Sequence, residues 1–203
     1  MGRQRLTTMN YQQEKQKRIT DLQFGSEILE TDSGSIEYAD QGKGPAVLIS
    51  HGGGGGYDMG IWLGQVIGDG YHFIAPSRFG YLRSPLPVNP TPQRQADTLA
   101  KLLEALNIES VIQIGLSSGG PAALQFTQRH PDRCKGLILL SAISRSLPPL
   151  PFMLRMLYPL ILRSDFIPWF IYENWPDFWV PVEWCEPEYL ARDQERSWEN
   201  RAS

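Results

Sequence analysis

The chain has 203 residues, of which 41% are hydrophobic and 20% charged, a composition that suits one globular domain of modest size. Its formal net charge of −3 gives no electrostatic basis for binding nucleic acid, so no such partner is expected. Residues 1–23 are polar and basic without an apolar centre, unlike a signal peptide or a membrane anchor. We therefore expect a cytoplasmic protein with a flexible or poorly packed N-terminal arm, and no membrane partner.

Strands alternate with helices along residues 24–146, which we interpret as the core domain. A turn signal at residues 32–34 predicts a hairpin between strands at 26–31 and 35–39. The remaining strands are predicted at residues 46–50, 72–75, 111–114 and 136–141, and the helices at residues 59–67, 91–107 and 119–129. This alternation is typical of an α/β fold with a mostly parallel sheet and flanking helices.

A serine turn, defined here as residues 115–119 (Gly-Leu-Ser-Ser-Gly), follows the β-branched strand at 111–114 and precedes a helix. This strand–turn–helix context is where a serine becomes a nucleophile. The turn is sharp enough to force Ser117 into a strained backbone conformation, so Gly115 and Gly119 must have almost no side chain. The same rule excludes Ser118 as the nucleophile, because Leu116 stands two residues before it.

A glycine loop, defined here as residues 51–56 (His-Gly-Gly-Gly-Gly-Gly), follows the apolar strand at 46–50. A phosphate-binding loop would continue with Gly-Lys-Ser/Thr, and a dinucleotide fingerprint needs a third glycine where Tyr57 or Asp58 stands, so both alternatives fail. We interpret the loop as one half of an oxyanion hole, in which the backbone amide of Gly53 or Gly54 joins that of Ser118. His51 and Gly52 would support this loop, and no cofactor or metal is expected.

The order of the motifs resembles that of the α/β-hydrolase superfamily over roughly residues 24–146. The motifs are the start of the glycine loop, residues 75–84 (APSRFGYLRS), residues 115–120 (GLSSGG) and residues 130–133 (HPDR). The resemblance implies a serine hydrolase that acts on an ester, an amide or a carbon–carbon bond. The chain departs from the superfamily at two positions, since members usually have an acidic residue at the position of Ser77 and a second glycine at that of Leu82.

Residues 147–203 are rich in proline and in aromatic side chains, with eight tryptophan, phenylalanine and tyrosine residues between positions 166 and 184. The resemblance implies a helical lid in this region. An aromatic lid would form a dry pocket for a small apolar substrate; aromatic residues that only pack the lid onto the core are the alternative.

A catalytic base is not evident in this sequence. The family order places the acid and the histidine of the triad after the lid, and the chain contains only three histidines. His130 is about 20 Å along the helix from Ser117, and His72 is expected at the opposite end of the sheet. We assign His51 to bracing the glycine loop, with surrogate base as its alternative role.

Three hypotheses follow from the missing base. The chain is a truncated serine hydrolase, a non-catalytic binding module with the same fold, or a half-enzyme completed by a second chain. If the sheet stops at the strand 136–141, its unpaired apolar edge predicts self-association.

Overall fold

The computed structural model describes residues 8–31 and 34–145, together with Phe166 and Phe170. The chain divides into two compact units, Met1–Leu147 and Pro148–Ser203. The elements of the first unit are α1 (Thr8–Phe24), β1 (Glu27–Thr31), β2 (Gly34–Gly42), β3 (Ala46–Ser50), α2 (Tyr57–Ile67), β4 (His72–Pro76), α3 (Pro92–Ala105), β5 (Val111–Leu116), α4 (Gly120–Arg129) and β6 (Cys134–Leu140). The sequence prediction of a lid at 147–203 falls outside the described residues, apart from the two phenylalanines.

The six strands form one sheet in the order β1-β2-β4-β3-β5-β6. The first three are joined by antiparallel pairing, and the pairs β4–β3, β3–β5 and β5–β6 are parallel. The predicted α/β class with a mostly parallel sheet is therefore confirmed. Because β3 and β5 are parallel neighbours, the loops that follow them leave the same edge of the sheet.

Apolar side chains fill both faces of the sheet. On one face, α3 and α4 pack through Leu99, Leu102 and Phe126, none of which has exposed surface. On the other face, Leu63 of α2 packs with Val47, Ile49, Phe73 and Ile114. These two layers hold the central strands rigid, and the central strands position the site.

In the segment expected from the sequence to be a flexible or poorly packed arm, Thr8–Phe24 forms helix α1, and most of the residues described along it are exposed. Its segment contains no proline or glycine, and Tyr11 and Leu22 lie three helical turns apart on one face. Tyr11 is 6% exposed, and Leu22 packs against the cluster of Ala39, Tyr57 and Ala75. The Tyr57 hydroxyl also donates a 2.7 Å hydrogen bond to the Leu22 carbonyl, which fixes the end of the helix.

Strand β6 is the last strand of the sheet among the described residues. The side chains of Ile138 and Leu139 are 45% and 39% exposed, whereas a strand between two helix layers would bury both. Along 8–31 and 34–145, no helix combines the length and apolarity needed to span a membrane.

Candidate active site

The serine turn has the conformation that its sequence predicts. Ser117 follows the end of β5 with φ of +48°, in the left-handed region that non-glycine residues avoid. A Cβ atom at Gly115 would lie 2.8 Å from the Ala123 Cβ, and one at Gly119 would overlap the Ser50 carbonyl oxygen. A side chain at Gly115 would therefore collide with α4, and one at Gly119 with the backbone at the end of β3, because β3, β5 and α4 approach one another at this point.

The glycine loop lies against the serine turn. A Cβ atom built on Gly52 would be 3.4 Å from the Ser117 Cβ, and one on Gly53 would be 3.5 Å from the Ser118 Oγ. The corresponding position on Gly54 instead meets the Met59 side chain at 3.7 Å. The structure thus brings Gly52 and Gly53 to Ser117 and Ser118, and it places Gly54 towards α2.

His51 is completely buried and both of its ring nitrogens are occupied. Its Nε2 accepts a 2.8 Å hydrogen bond from the Arg78 backbone N–H, so its Nδ1 carries the proton and donates to the Gly52 carbonyl at 2.7 Å. Burial is the main cause that lowers the pKa of His51 to about 4. A neutral histidine with no free nitrogen braces the loop and has no lone pair to offer Ser117.

Arg78, which follows the end of β4, joins the glycine loop to the serine turn. Its Nη2 donates to the Gly52 carbonyl at 3.1 Å and to the Ser118 Oγ at 2.9 Å, and its Nη1 donates to the Ser118 carbonyl at 3.0 Å. The guanidinium also lies over the Tyr81 ring, 4.8 Å from its centroid. Sequence reasoning missed this residue; the available signal was a basic side chain directly after a buried strand that neighbours β3.

The hydrogen bonds of Arg78 set the direction of one backbone amide. In a planar trans peptide, the carbonyl of one residue and the N–H of the next point in opposite directions. The Gly52 carbonyl faces Arg78, so the Gly53 N–H points away from it and has no partner among residues 8–31 and 34–145.

The Ser118 amide is set by the same geometry. The Ser117 carbonyl accepts from Ile143 at 2.9 Å and from Gly120, so the Ser118 N–H points away from both. Ser118 lies in the first turn of a 3-10 helix at Ser117–Gly119, where amides have no partner within the helix. Among residues 8–31 and 34–145, the amides of Gly53 and Ser118 therefore have no hydrogen-bond partner, and they lie in adjoining segments.

A buried carboxylate holds the segment that carries Arg78. Glu37 on β2 is 1% exposed and accepts hydrogen bonds from the Arg83 Nε at 2.7 Å and from the Ser77 Oγ at 2.9 Å. Burial alone would raise the pKa of Glu37, but its hydrogen bonds, led by that from Arg83, lower it below the usual 4.5. Ser77, which departs from the family pattern, thus serves as a donor to this carboxylate.

The other two histidines lie away from Ser117. His72 begins β4, where it pairs with Ala46 at the opposite edge of the sheet, and its Nε2 lies 3.3 Å from Asp40. His130 follows the C-terminal end of α4 and lies 3.0 Å from Asp97. Within the described ranges, no three His, Cys, Asp or Glu side chains cluster as a metal site would require.

The family of the chain is shown by its match to a known family model. The model of the alpha/beta hydrolase fold family matches residues 45–166, more than half of the chain. The chain therefore belongs to the alpha/beta hydrolase fold family.

Known proteins of this family are similar to the chain over part of their length. An uncharacterized hydrolase, YcgS, from Bacillus subtilis is 35% identical over 119 residues, which are 59% of this chain and 42% of that protein. The 2-hydroxy-6-oxo-6-phenylhexa-2,4-dienoate hydrolase of Comamonas testosteroni is 33% identical over 113 residues, 52% of this chain and 39% of that one. The chain thus spans about two fifths of the length of these curated relatives.

Solved structures show the same relationship. An alpha/beta hydrolase fold protein from Nakamurella multipartita superposes with a TM-score of 0.57 at 28% identity. The superposition covers 68% of this chain and 52% of that structure.

Proposed function

We propose that the chain carries the nucleophile half of a serine hydrolase, which acts on an ester, an amide or a carbon–carbon bond of a small, apolar substrate. The observation that carries this proposal is the left-handed conformation of Ser117 at the end of β5, with the glycine loop packed against it. A non-glycine residue in this region costs about 1–3 kcal/mol, and such strain clusters at reactive sites. The hydrolase names of the relatives support the same class of enzyme.

In the proposed reaction, the Ser117 Oγ forms a bond to the substrate carbonyl carbon while its proton passes to a general base. The carbonyl oxygen gains negative charge, and the unpaired amides of Gly53 and Ser118 donate to it. Collapse of the intermediate breaks the bond to the leaving group, which takes up the proton. Arg78 supports this arrangement because its hydrogen bonds to Gly52 and Ser118 hold both loops in place.

The general base is the component that the described site does not supply. All three histidines of the sequence are described, and none has a free nitrogen beside Ser117. We propose that the base belongs to a part of a longer protein or to a second chain, because the relatives are more than twice as long as the matched segment. The occupied histidine also favours a second candidate, a binding module without turnover.

Labelling with a fluorophosphonate probe tests the proposal, because the probe reacts with an activated serine hydroxyl. We expect slow labelling of the 203-residue chain, abolished by Ser117→Ala and retained by the adjacent control Ser118→Ala. Added imidazole should accelerate the reaction, since it supplies the missing base. Absence of Ser117 labelling even with imidazole would reject the nucleophile and favour the binding module, whereas rapid labelling without it would show that a base is already present.

A further inference from the structure

The carbonyl oxygen of Gly52 accepts two hydrogen bonds, the full capacity of its two lone pairs. The buried His51 donates to it from Nδ1 at 2.7 Å, and the Arg78 guanidinium donates from Nη2 at 3.1 Å. The same peptide unit carries the N–H of Gly53, which belongs to the proposed oxyanion hole. Both donors therefore act on the far side of an amide that would bind the developing negative charge.

Arg78 brings a full positive charge to this carbonyl. Its guanidinium donates only to neutral oxygens, and within residues 8–31 and 34–145 no carboxylate pairs with it. Burial is the main cause that lowers the pKa of Arg78 below its usual range, although arginine stays protonated at neutral pH. A charge that is unpaired and partly removed from water acts strongly on its neighbours.

The peptide bond can carry this influence, because its carbonyl and its nitrogen share electrons through resonance. Donation to the carbonyl oxygen draws electron density from the nitrogen, so the N–H becomes a stronger donor, as in chains of hydrogen bonds. The guanidinium is fixed in place, since it also donates to the Ser118 carbonyl at 3.0 Å and to the Ser118 Oγ at 2.9 Å. The charge of Arg78 therefore has a fixed path to the Gly53 amide.

We propose that Arg78 is a positioning residue whose charge, delivered through the peptide between Gly52 and Gly53, strengthens the Gly53 N–H as an oxyanion donor. This role goes beyond holding two loops together, which a neutral side chain with the same hydrogen bonds would also do. It rests on the proposed function, in which the oxyanion forms at Gly53. It also suits an apolar substrate, because the guanidinium lies on the carbonyl side of the peptide, opposite to the N–H.

Hydrogen exchange of the Gly53 and Gly54 amides tests the charge effect without any reaction at Ser117. Both amides lie between glycines, both residues are exposed, and neither N–H has a partner in the described part of the chain, so the sequence alone predicts equal rates. Base-catalysed exchange leaves a transient negative charge, which a nearby positive charge favours. We expect Gly53 to exchange about tenfold faster than Gly54 in solvent-exchange NMR. This ratio should fall towards one in Arg78→Gln and be largely kept in Arg78→Lys.

Fluorophosphonate labelling of Ser117 in the presence of imidazole gives a second measurement. Arg78→Gln should slow it about tenfold, less than the roughly 10²–10³ lost with a whole oxyanion donor, and Arg78→Lys should recover part of the rate. Arg133→Gln is the matched control, because Arg133 also donates to backbone carbonyls, those of Ala100 and Ile108. Arg133 precedes the start of β6, at the opposite edge of the sheet, so its variant should be labelled like the wild type.

Equal exchange of Gly53 and Gly54 in the wild type would overturn the inference, and this result does not depend on the folding of any variant. A ratio that Arg78→Gln leaves unchanged, or a labelling rate that Arg78→Lys restores no better than Arg78→Gln, would also overturn it. Faster exchange of Gly53 without any labelling of Ser117 would reject the proposed nucleophile alone. Labelling of Ser117 with equal exchange of the two amides would reject this inference alone.

Discussion

The Nε of Arg83 lies 2.7 Å from the Oε1 of Glu37, and this ion pair ties the segment after β4 to strand β2. Glu37 is 1% exposed, so removal of its partner leaves a buried charge. We expect Arg83→Met to lower the free energy of unfolding by about 3–5 kcal/mol. Chemical denaturation measures this, with Arg129→Met as the control because its pair with Asp97 lies at the surface and should cost much less.

The same pair predicts a loss of stability in acid. The pKa of Glu37 is lowered in the folded chain, so its contribution is present above the usual pKa of 4.5 and is lost as the pH falls through the lowered value. Glu37→Gln should flatten the pH dependence of the unfolding free energy below about pH 4.5. A variant with the same acid slope as the wild type would contradict this assignment.

As the pH falls, protonation of His51 should begin to destabilise the fold at a higher pH than protonation of Glu37 does. Its pKa falls from 6.5 to about 4 on folding, so the unfolded chain binds the proton more readily. The contribution of neutral His51 to the free energy of unfolding is fully present above pH 6.5. It decreases between pH 6.5 and about 4, by roughly 3 kcal/mol in total. An NMR titration of the His51 ring checks this; a midpoint near 6.5 would show that the ring is neither buried nor hydrogen-bonded as described.

Gly119→Ala should be severely destabilising, because the new methyl group would collide with the carbonyl oxygens of Ser50 and His51. Backbone atoms at the end of β3 cannot move aside without displacing the glycine loop, so we expect a cost above about 3 kcal/mol. Gly136→Ala is the control, since nothing lies within 4 Å of its added Cβ. Thermal unfolding of the two variants should differ by many degrees; similar midpoints would contradict the close approach.

The exposed apolar side chains of β6 predict self-association of the isolated chain. Ile138 is 45% exposed on a strand that forms the edge of the described sheet, and such edges pair with other chains. Ile138→Lys should shift the chain towards monomer in sedimentation velocity experiments. The control Val66→Lys changes a 63% exposed residue of α2 and should leave the distribution unchanged; a wild-type chain that is monomeric at all concentrations would remove the basis for this prediction.

The serine turn could be predicted from sequence because its constraints are local. The strained Ser117 and the small residues on either side follow from one sharp turn, and each shows in the residue types themselves. The glycine loop needed one further step, since only the pairing of β3 with β5 brings it to the turn. Sequence alone could not tell which of Gly53 and Gly54 lies beside Ser118; in the structure it is Gly53, whereas Gly54 lies beside Met59.

Arg78 and helix α1 could not be predicted in the same way. The partners of Arg78 are oxygens 26 and 40 residues away in the sequence, and nothing in the local pattern shows that they converge. Helix α1 is polar along most of its length, and its packing depends on the hydroxyl of Tyr57, 35 residues beyond its own Leu22. Long-range polar contacts of this kind have no periodic signature.

The backbone of Ser117 also limits which side chains this position can hold. At φ of +48° the space around Cβ is already restricted, and a second branch on that atom would collide with the neighbouring backbone. Threonine, although it carries the same hydroxyl group, is therefore a poor replacement, whereas cysteine has the unbranched shape of serine. Conformation alone therefore restricts this position to side chains with an unbranched Cβ, among which serine, cysteine and aspartate offer a nucleophilic atom.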